Sequence, residues 1–159
     1  PCAGFLFREK PTLPHIRRDM IDFYHIPVCH INNIKSGASW VLPDGTEVPN
    51  SRLTYPPEPP RSYAYCSDTR YIPSLHEQIN GVTLLYHEAT YAVDKLDNCE
   101  KYYHSTAAQA ARVAADAHAG RLLLGHFSAR YEDESVLFRE AQAIFPDTLL
   151  AKEGQTITL

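Results

Sequence analysis

Three apolar runs from Ser62 onward each end in a side chain able to bind a metal or move a proton. Ser62-Tyr63-Ala64-Tyr65-Cys66 leads into Ser67-Asp68-Thr69-Arg70. Val82-Thr83-Leu84-Leu85-Tyr86 leads into His87-Glu88-Ala89-Thr90, and Arg121-Leu122-Leu123-Leu124-Gly125 into His126-Phe127-Ser128-Ala129-Arg130-Tyr131. Ligands of open α/β sheets gather at the carboxyl ends of strands, so three such ends predict a shared site. A carboxylate such as Asp68 can bridge two metal ions, and a neutral imidazole such as His126 suits Zn²⁺. Two protein ligands fall short of the three that a catalytic zinc takes. The remaining ligands are therefore expected elsewhere in this chain or in sequence outside it. The competing reading is a capping or salt-bridged Asp68 and a satisfied core His126.

His104 directly precedes Ser105-Thr106 and a helical pattern. A helix N-terminus favours anions and suits phosphate, so His104 could give a proton to a leaving oxygen while nearby amides hold a phosphoryl group. It could equally just end a loop. Glu88, beside His87, could orient a neighbouring imidazole or make a buried structural hydrogen bond. Arg17, Arg18, Lys35, Arg70 and Arg130 could contact phosphates, with Arg130 the best placed. His15, His25, His30, His76 and His118 are given no role.

The elements that must position these groups alternate strand and helix from Arg61 onward, which argues for an α/β layered domain. Strands are expected at 62–66, 82–86 and 121–124, with a short helix at 73–78. A helix is expected from Ser105 or Thr106 to about Ala119, started by a Thr106-x-x-Gln109 capping box and stopped at Gly120. A last helix spans 132–144, followed by short strands at 148–151 and 156–159. Before Arg61 the pattern is different. A strand around 3–8 is broken by Lys10-Pro11, and a short helix is expected over His15–Tyr24. A hairpin turns at Pro43-Asp44-Gly45, and the run Pro56-Pro57-Glu58-Pro59-Pro60 is a stiff connector. Residues 10–60 thus read as a protruding arm or insertion on a 61–159 core.

The 159 residues and net charge of −4 fit one domain and carry no bulk signal for nucleic acid. No run is long and apolar enough for a membrane span. Four scattered cysteines, without a C-x-x-C pair, suit a reducing cytoplasm and read as structural thiols. The chain opens on Pro1 and its single Met is Met20, so a piece of a longer protein is expected.

Ser67-Asp68-Thr69-Arg70, His87-Glu88-Ala89-Thr90, His104-Ser105-Thr106 and His126-Phe127-Ser128-Ala129-Arg130-Tyr131 together resemble the ordered signatures of ribonuclease Z, the zinc-dependent tRNA 3′-processing endonuclease of the metallo-β-lactamase fold. Asp68 and His104 stand 36 residues apart, His104 and His126 22 apart. The resemblance covers nearly the whole chain, including Gly4-Phe5 to Glu9-Lys10, Lys35-Ser36-Gly37 and Asp44-Gly45. It implies half of an αββα sandwich, with Asp68 bridging two zincs and His126 a ligand of one. It implies His104 as proton donor or transition-state stabiliser, with Glu88 and His87 in support. Arg130, Ser128, Arg70 and the 10–40 segment would face a tRNA precursor. The product would be a tRNA with a 3′-hydroxyl, and the full-length enzyme a cytoplasmic homodimer.

Two departures qualify the resemblance. The family's H-x-H-x-D-H signature and a further His ligand are absent, so this chain alone is expected to bind zinc weakly or not at all and to be inactive. Ile26-Pro27-Val28-Cys29-His30-Ile31-Asn32-Asn33 stands where the family has a Gly/Pro-rich stretch. An apolar sheet face is expected to be covered by a second copy or by the missing half. The alternatives are a phosphodiesterase of the same fold acting on small or cyclic diesters, and a metal-free binding module.

Overall fold

A computed structural model describes residues 2–159. The chain divides into two compact units, one of residues 10–60 and one of the flanking segments up to 9 and from 61 to 159. The first strand, β1 (Phe5–Arg8), belongs to the larger unit.

The smaller unit follows in chain order. It contains β2 (His15–Ile16), α1 (Arg18–Phe23), a 3₁₀ turn at Val28–His30, α2 (Ile31–Lys35), β3 (Trp40–Val41), β4 (Glu47–Val48), α3 (Asn50–Leu53) and β5 (Thr54–Tyr55). β2 and β5 pair antiparallel, as do β3 and β4. Ile21, Ile26, Ile34, Val48 and Leu53 form a small core of its own, with Trp40 and Leu42 packed on it. The Asn50 amide group donates to the carbonyls of Ile34 and Ala38 at 2.6 and 2.8 Å, tying α3 to the end of α2. The helix expected over 15–24 is shorter than its pattern. Its first residues pair instead with Thr54 and Tyr55, because a short helix gains less there than a backbone ladder.

The larger unit continues with β6 (Ser62–Cys66), α4 (Leu75–Gln78), β7 (Leu84–Glu88), α5 (Leu96–Tyr102), α6 (Ala107–Asp116), β8 (Leu122–Gly125), α7 (Ser135–Gln142) and β9 (Thr148–Leu150). One five-stranded sheet runs β1-β6-β7-β8-β9, with β1 antiparallel and the other strands parallel. Ala64, Cys66, Leu85, Leu122 and Leu124 meet the Ala-rich face of α6 and Leu137 and Ala141 of α7. Alanine lets α6 lie close on the strands, and its N-terminus carries the expected capping box of Thr106 and Gln109. On the other face the register lines up Phe5 with Tyr65, Phe7 with Tyr63, and Tyr65 with Tyr86. The Tyr65 and Tyr86 rings stack at 4.7 Å. Gly125 is required beside them, since a Cβ there would run into the Tyr86 ring.

The expected α/β class is therefore present, with adjustments. β7 starts and ends two residues later than the pattern suggested, so His87 and Glu88 are strand residues. Residues 156–159 form no strand, and α5 is a helix the periodicity did not reveal. Its seven residues bury only Cys99, too little apolar stripe to read from the sequence.

Candidate metal centre

Strand ends bring the chemistry together. Asp68 follows β6, Glu88 is the last residue of β7, His126 follows β8, and His104 lies in the loop between α5 and α6. Their ligand-capable atoms all lie within 4.8 Å of one another. Asp68 and His126 both adopt left-handed backbone, with φ of 50° and 58°. That conformation costs a non-glycine residue about 1–2 kcal/mol. The kink turns each side chain off the line of its strand and toward its neighbour. His126 Nε2 stands 3.2 Å from Asp68 Oδ1.

Glu88 organises everything around it. It is 0 % exposed. Its Oε1 accepts from the Thr69 amide at 2.8 Å and from His104 Nδ1 at 3.0 Å. Its Oε2 accepts from the Ser105 amide at 3.0 Å, the Thr90 hydroxyl at 2.6 Å and, at a longer 3.4 Å, the Thr90 amide. A buried carboxylate persists only when so fully paired. With both oxygens committed to the protein, Glu88 is a poor metal ligand and a strong positioning group.

The same network sets both imidazoles. His104 gives its Nδ1 hydrogen to Glu88 directly. Because the Thr90 hydroxyl donates to Glu88, it accepts from His126 Nδ1 at 2.9 Å. Each ring is thereby held through Nδ1, one by the carboxylate and one through a hydroxyl, while His126 Nε2 faces the Asp68 carboxylate. The rings lie 5.4 Å apart. His104 is 21 % exposed, His126 38 % and Asp68 69 %. The buried carboxylate thus supports a rim of accessible donors.

The other residues singled out in the sequence separate from this cluster. His87 points to the helix-packed side of the sheet and is fully buried. Its Nδ1 meets the Glu88 carbonyl at 2.8 Å, its Nε2 has no partner, and burial pushes its pKa down. Being in the strand rather than beyond it, His87 alternates to the face opposite the site, which removes it from the expected catalytic group. Arg70 and Arg130 are exposed, and among the described residues no acidic side chain pairs with either guanidinium. Arg70 lines two open grooves, of about 440 Å³ beside His104 and about 540 Å³ beside Asp68. Ser128 braces the turn after His126: its amide donates to the Thr90 carbonyl at 3.1 Å and its hydroxyl accepts from the Arg130 amide.

Thr69, Thr90, Ser105 and Tyr131 carry structural roles that the sequence reading left unassigned. The Ser105 hydroxyl donates to the Thr69 carbonyl at 2.8 Å, and the Tyr131 hydroxyl accepts from the Ala92 amide at 2.8 Å. Small hydroxyl residues directly after a strand or before a helix were the available signal.

Comparison with known proteins bears on the fold and the family. No family model matches the chain. It is 56% identical over all 159 residues to a protein named ribonuclease Z from Bacteroides fragilis, covering 52% of that relative, and 57% identical to one from Phocaeicola vulgatus, again over 52% of its length. The chain thus spans about half the length of the curated relatives it matches. Among solved structures it is similar to the metallo-beta-lactamase fold protein YhfI from Bacillus subtilis, with a TM-score of 0.55 and 27% identity over 60% of this chain and 39% of that one. It is also similar to human tRNase Z, short form, with a TM-score of 0.50 and 27% identity over 62% of this chain and 33% of that one. The sheet and helices described above are those of a metallo-β-lactamase fold, and the chain is homologous, along all of its 159 residues, to about half of a ribonuclease Z.

Proposed function

We propose that this chain supplies one half of a zinc-dependent endoribonuclease that removes 3′ trailers from tRNA precursors. The observation that carries the reading is the buried Glu88, which fixes two imidazoles by their Nδ1 atoms, one directly and one through Thr90, beside the exposed Asp68 carboxylate. A carboxylate behind a ligating histidine is the usual support of a zinc site, and an Asp oxygen with imidazole nitrogens suits Zn²⁺. Asp68 and His126 are the residues to hold zinc, completed by ligands from the half of the protein outside this chain. Zinc bound there would supply Lewis acidity and charge neutralisation for attack on a phosphodiester.

The chain's own residues perform the rest. His104, fixed through Nδ1 to Glu88, presents Nε2 to a leaving 3′-oxygen and can give it a proton without turning its ring. Glu88 stabilises the charged imidazole. That offsets the unfavourable neighbourhood of the α6 N-terminus for a cation. Arg70 and Arg130 offer unpaired guanidinium groups for phosphates. The aromatic face formed by Phe5, Phe7, Tyr63, Tyr65 and Tyr86 is the surface on which the remaining half of the fold packs. Among the described residues no helix is long and apolar enough to cross a membrane.

The test is the full-length protein beside its Asp68→Ala variant, assayed for zinc and for cleavage of a tRNA precursor. Zinc at about two per chain with cleavage lost in the variant supports the reading. Intact cleavage by the variant removes Asp68 from the site. A parent that hydrolyses only small diesters moves the assignment to a phosphodiesterase, and a parent without zinc or activity moves it to a binding module.

A further inference from the structure

We propose that Tyr103 is a stacking platform for an unpaired RNA base next to the scissile phosphate, an inference that rests on the nuclease reading above. Tyr103 sits between α5 and His104, directly beside the proton-carrying imidazole. It is 65 % exposed. With Asp68, Thr69, Arg70 and Ile72 it lines the open groove of about 540 Å³. One groove therefore contains an exposed aromatic ring, an unpaired guanidinium and a metal-competent carboxylate. Those three groups match the base, phosphate and reacting centre of one nucleotide.

The backbone strengthens the case. Tyr103 ends α5 in the left-handed conformation, with φ of 62°. Glycine takes that position without strain, and a bulky side chain does not. The conformation is pinned from both sides, because the amides of Tyr103 and His104 both donate to the Cys99 carbonyl. Strain of this kind persists where the surroundings over-determine it, and it clusters at ligand clamps. The neighbouring Tyr102 differs: Lys101 Nζ lies 5.1 Å from its ring centroid. Among the described residues no ring or cation covers Tyr103, so its face is open to a planar ligand. Bases stack on such faces with little sequence preference. That is the recognition needed when trailers of different sequence must reach one site.

The experiment uses the full-length protein with Tyr103→Gly and Tyr103→Trp, and a tRNA precursor carrying 2-aminopurine beside the scissile phosphate. Glycine accepts the left-handed backbone, so this variant keeps its fold, checked by zinc content and thermal midpoint. The expected result is quenching of the base by the parent and by Tyr103→Trp. In Tyr103→Gly, quenching disappears and kcat/KM falls by roughly 10- to 100-fold, carried mainly by KM. Parental quenching and kcat/KM in Tyr103→Gly would overturn the platform while leaving the nuclease reading in place. Equal losses in both variants would also overturn it, making Tyr103 a structural residue. A parent that neither binds nor cleaves the RNA would remove both.

Discussion

The ends of β6 and β7 lie side by side in parallel register, with Cys66 opposite His87, and each delivers one carboxylate to the site. Their environments are opposite. Asp68 is exposed and left-handed in backbone, and among the described residues its one ion pair is with His126. Glu88 is wholly buried and accepts hydrogen bonds from Thr69, Thr90, His104 and Ser105. The difference shows how one sheet edge sets two carboxylates apart. One spends its lone pairs on backbone and side-chain donors of the protein; the other stays exposed beside His126. The strand's length decides which. β7 runs on through Glu88, so the side chain stays under the adjoining loops, whereas the chain has left β6 two residues before Asp68.

The contrast can be broken most severely at Glu88. Glu88→Ala leaves the Thr69 and Ser105 amides and the Thr90 hydroxyl without their acceptor, and we expect a loss of about 3–5 kcal/mol in unfolding free energy, read by denaturant titration. Asp68→Asn should do the reverse. Its stability stays within about 0.5 kcal/mol, while zinc affinity, measured by chelator competition on the full-length protein, falls by at least ~100-fold. Asp68→Asn unfolding as readily as Glu88→Ala would erase the distinction.

Thr90→Val sharpens the comparison by cutting only the branch from Glu88 to His126. It should lower zinc affinity roughly 10- to 100-fold, with Thr90→Ser close to the parent. An unaffected Thr90→Val would mean that His126 is oriented by its backbone alone. The smallest effect concerns His87, the other side of the same strand. Its folded pKa lies below the unfolded value, so the unfolded state takes up the proton first as pH falls. Stability contributed by neutral His87 is present above pH about 6.5 and is lost below it, at up to ~1.4 kcal/mol per pH unit. His87→Gln should flatten that slope in a pH series of unfolding curves.

Much of this site could be read along the chain. Asp68, Glu88, His104 and His126 stood out because each closes an apolar run or precedes a helix cap. His87 stood out for the same reason, and wrongly. Periodicity cannot tell whether a strand stops at residue 86 or 88, and two residues of extension exchange which neighbours face the site. Thr90 and Ser105 were invisible as functional groups, since a hydroxyl in a turn has many local uses. The short elements between 10 and 60 were legible mainly as turns. Helical spacing showed the first of their helices, within 15–24, while α2 and α3, of five and four residues, are too short to hold a periodic stripe and are selected by the shared core of Ile21, Ile26, Ile34, Val48 and Leu53.

Order and spacing along the chain determined the α/β class, the capping box at Thr106 and the four residues that converge, because these are consequences of local periodicity and residue chemistry. The tertiary structure alone decided which carboxylate is buried and which is exposed, that both imidazoles are held through Nδ1, and that Tyr103 lines a groove with Asp68 and Arg70. Those properties depend on contacts between residues 16 to 36 positions apart, which no local pattern encodes.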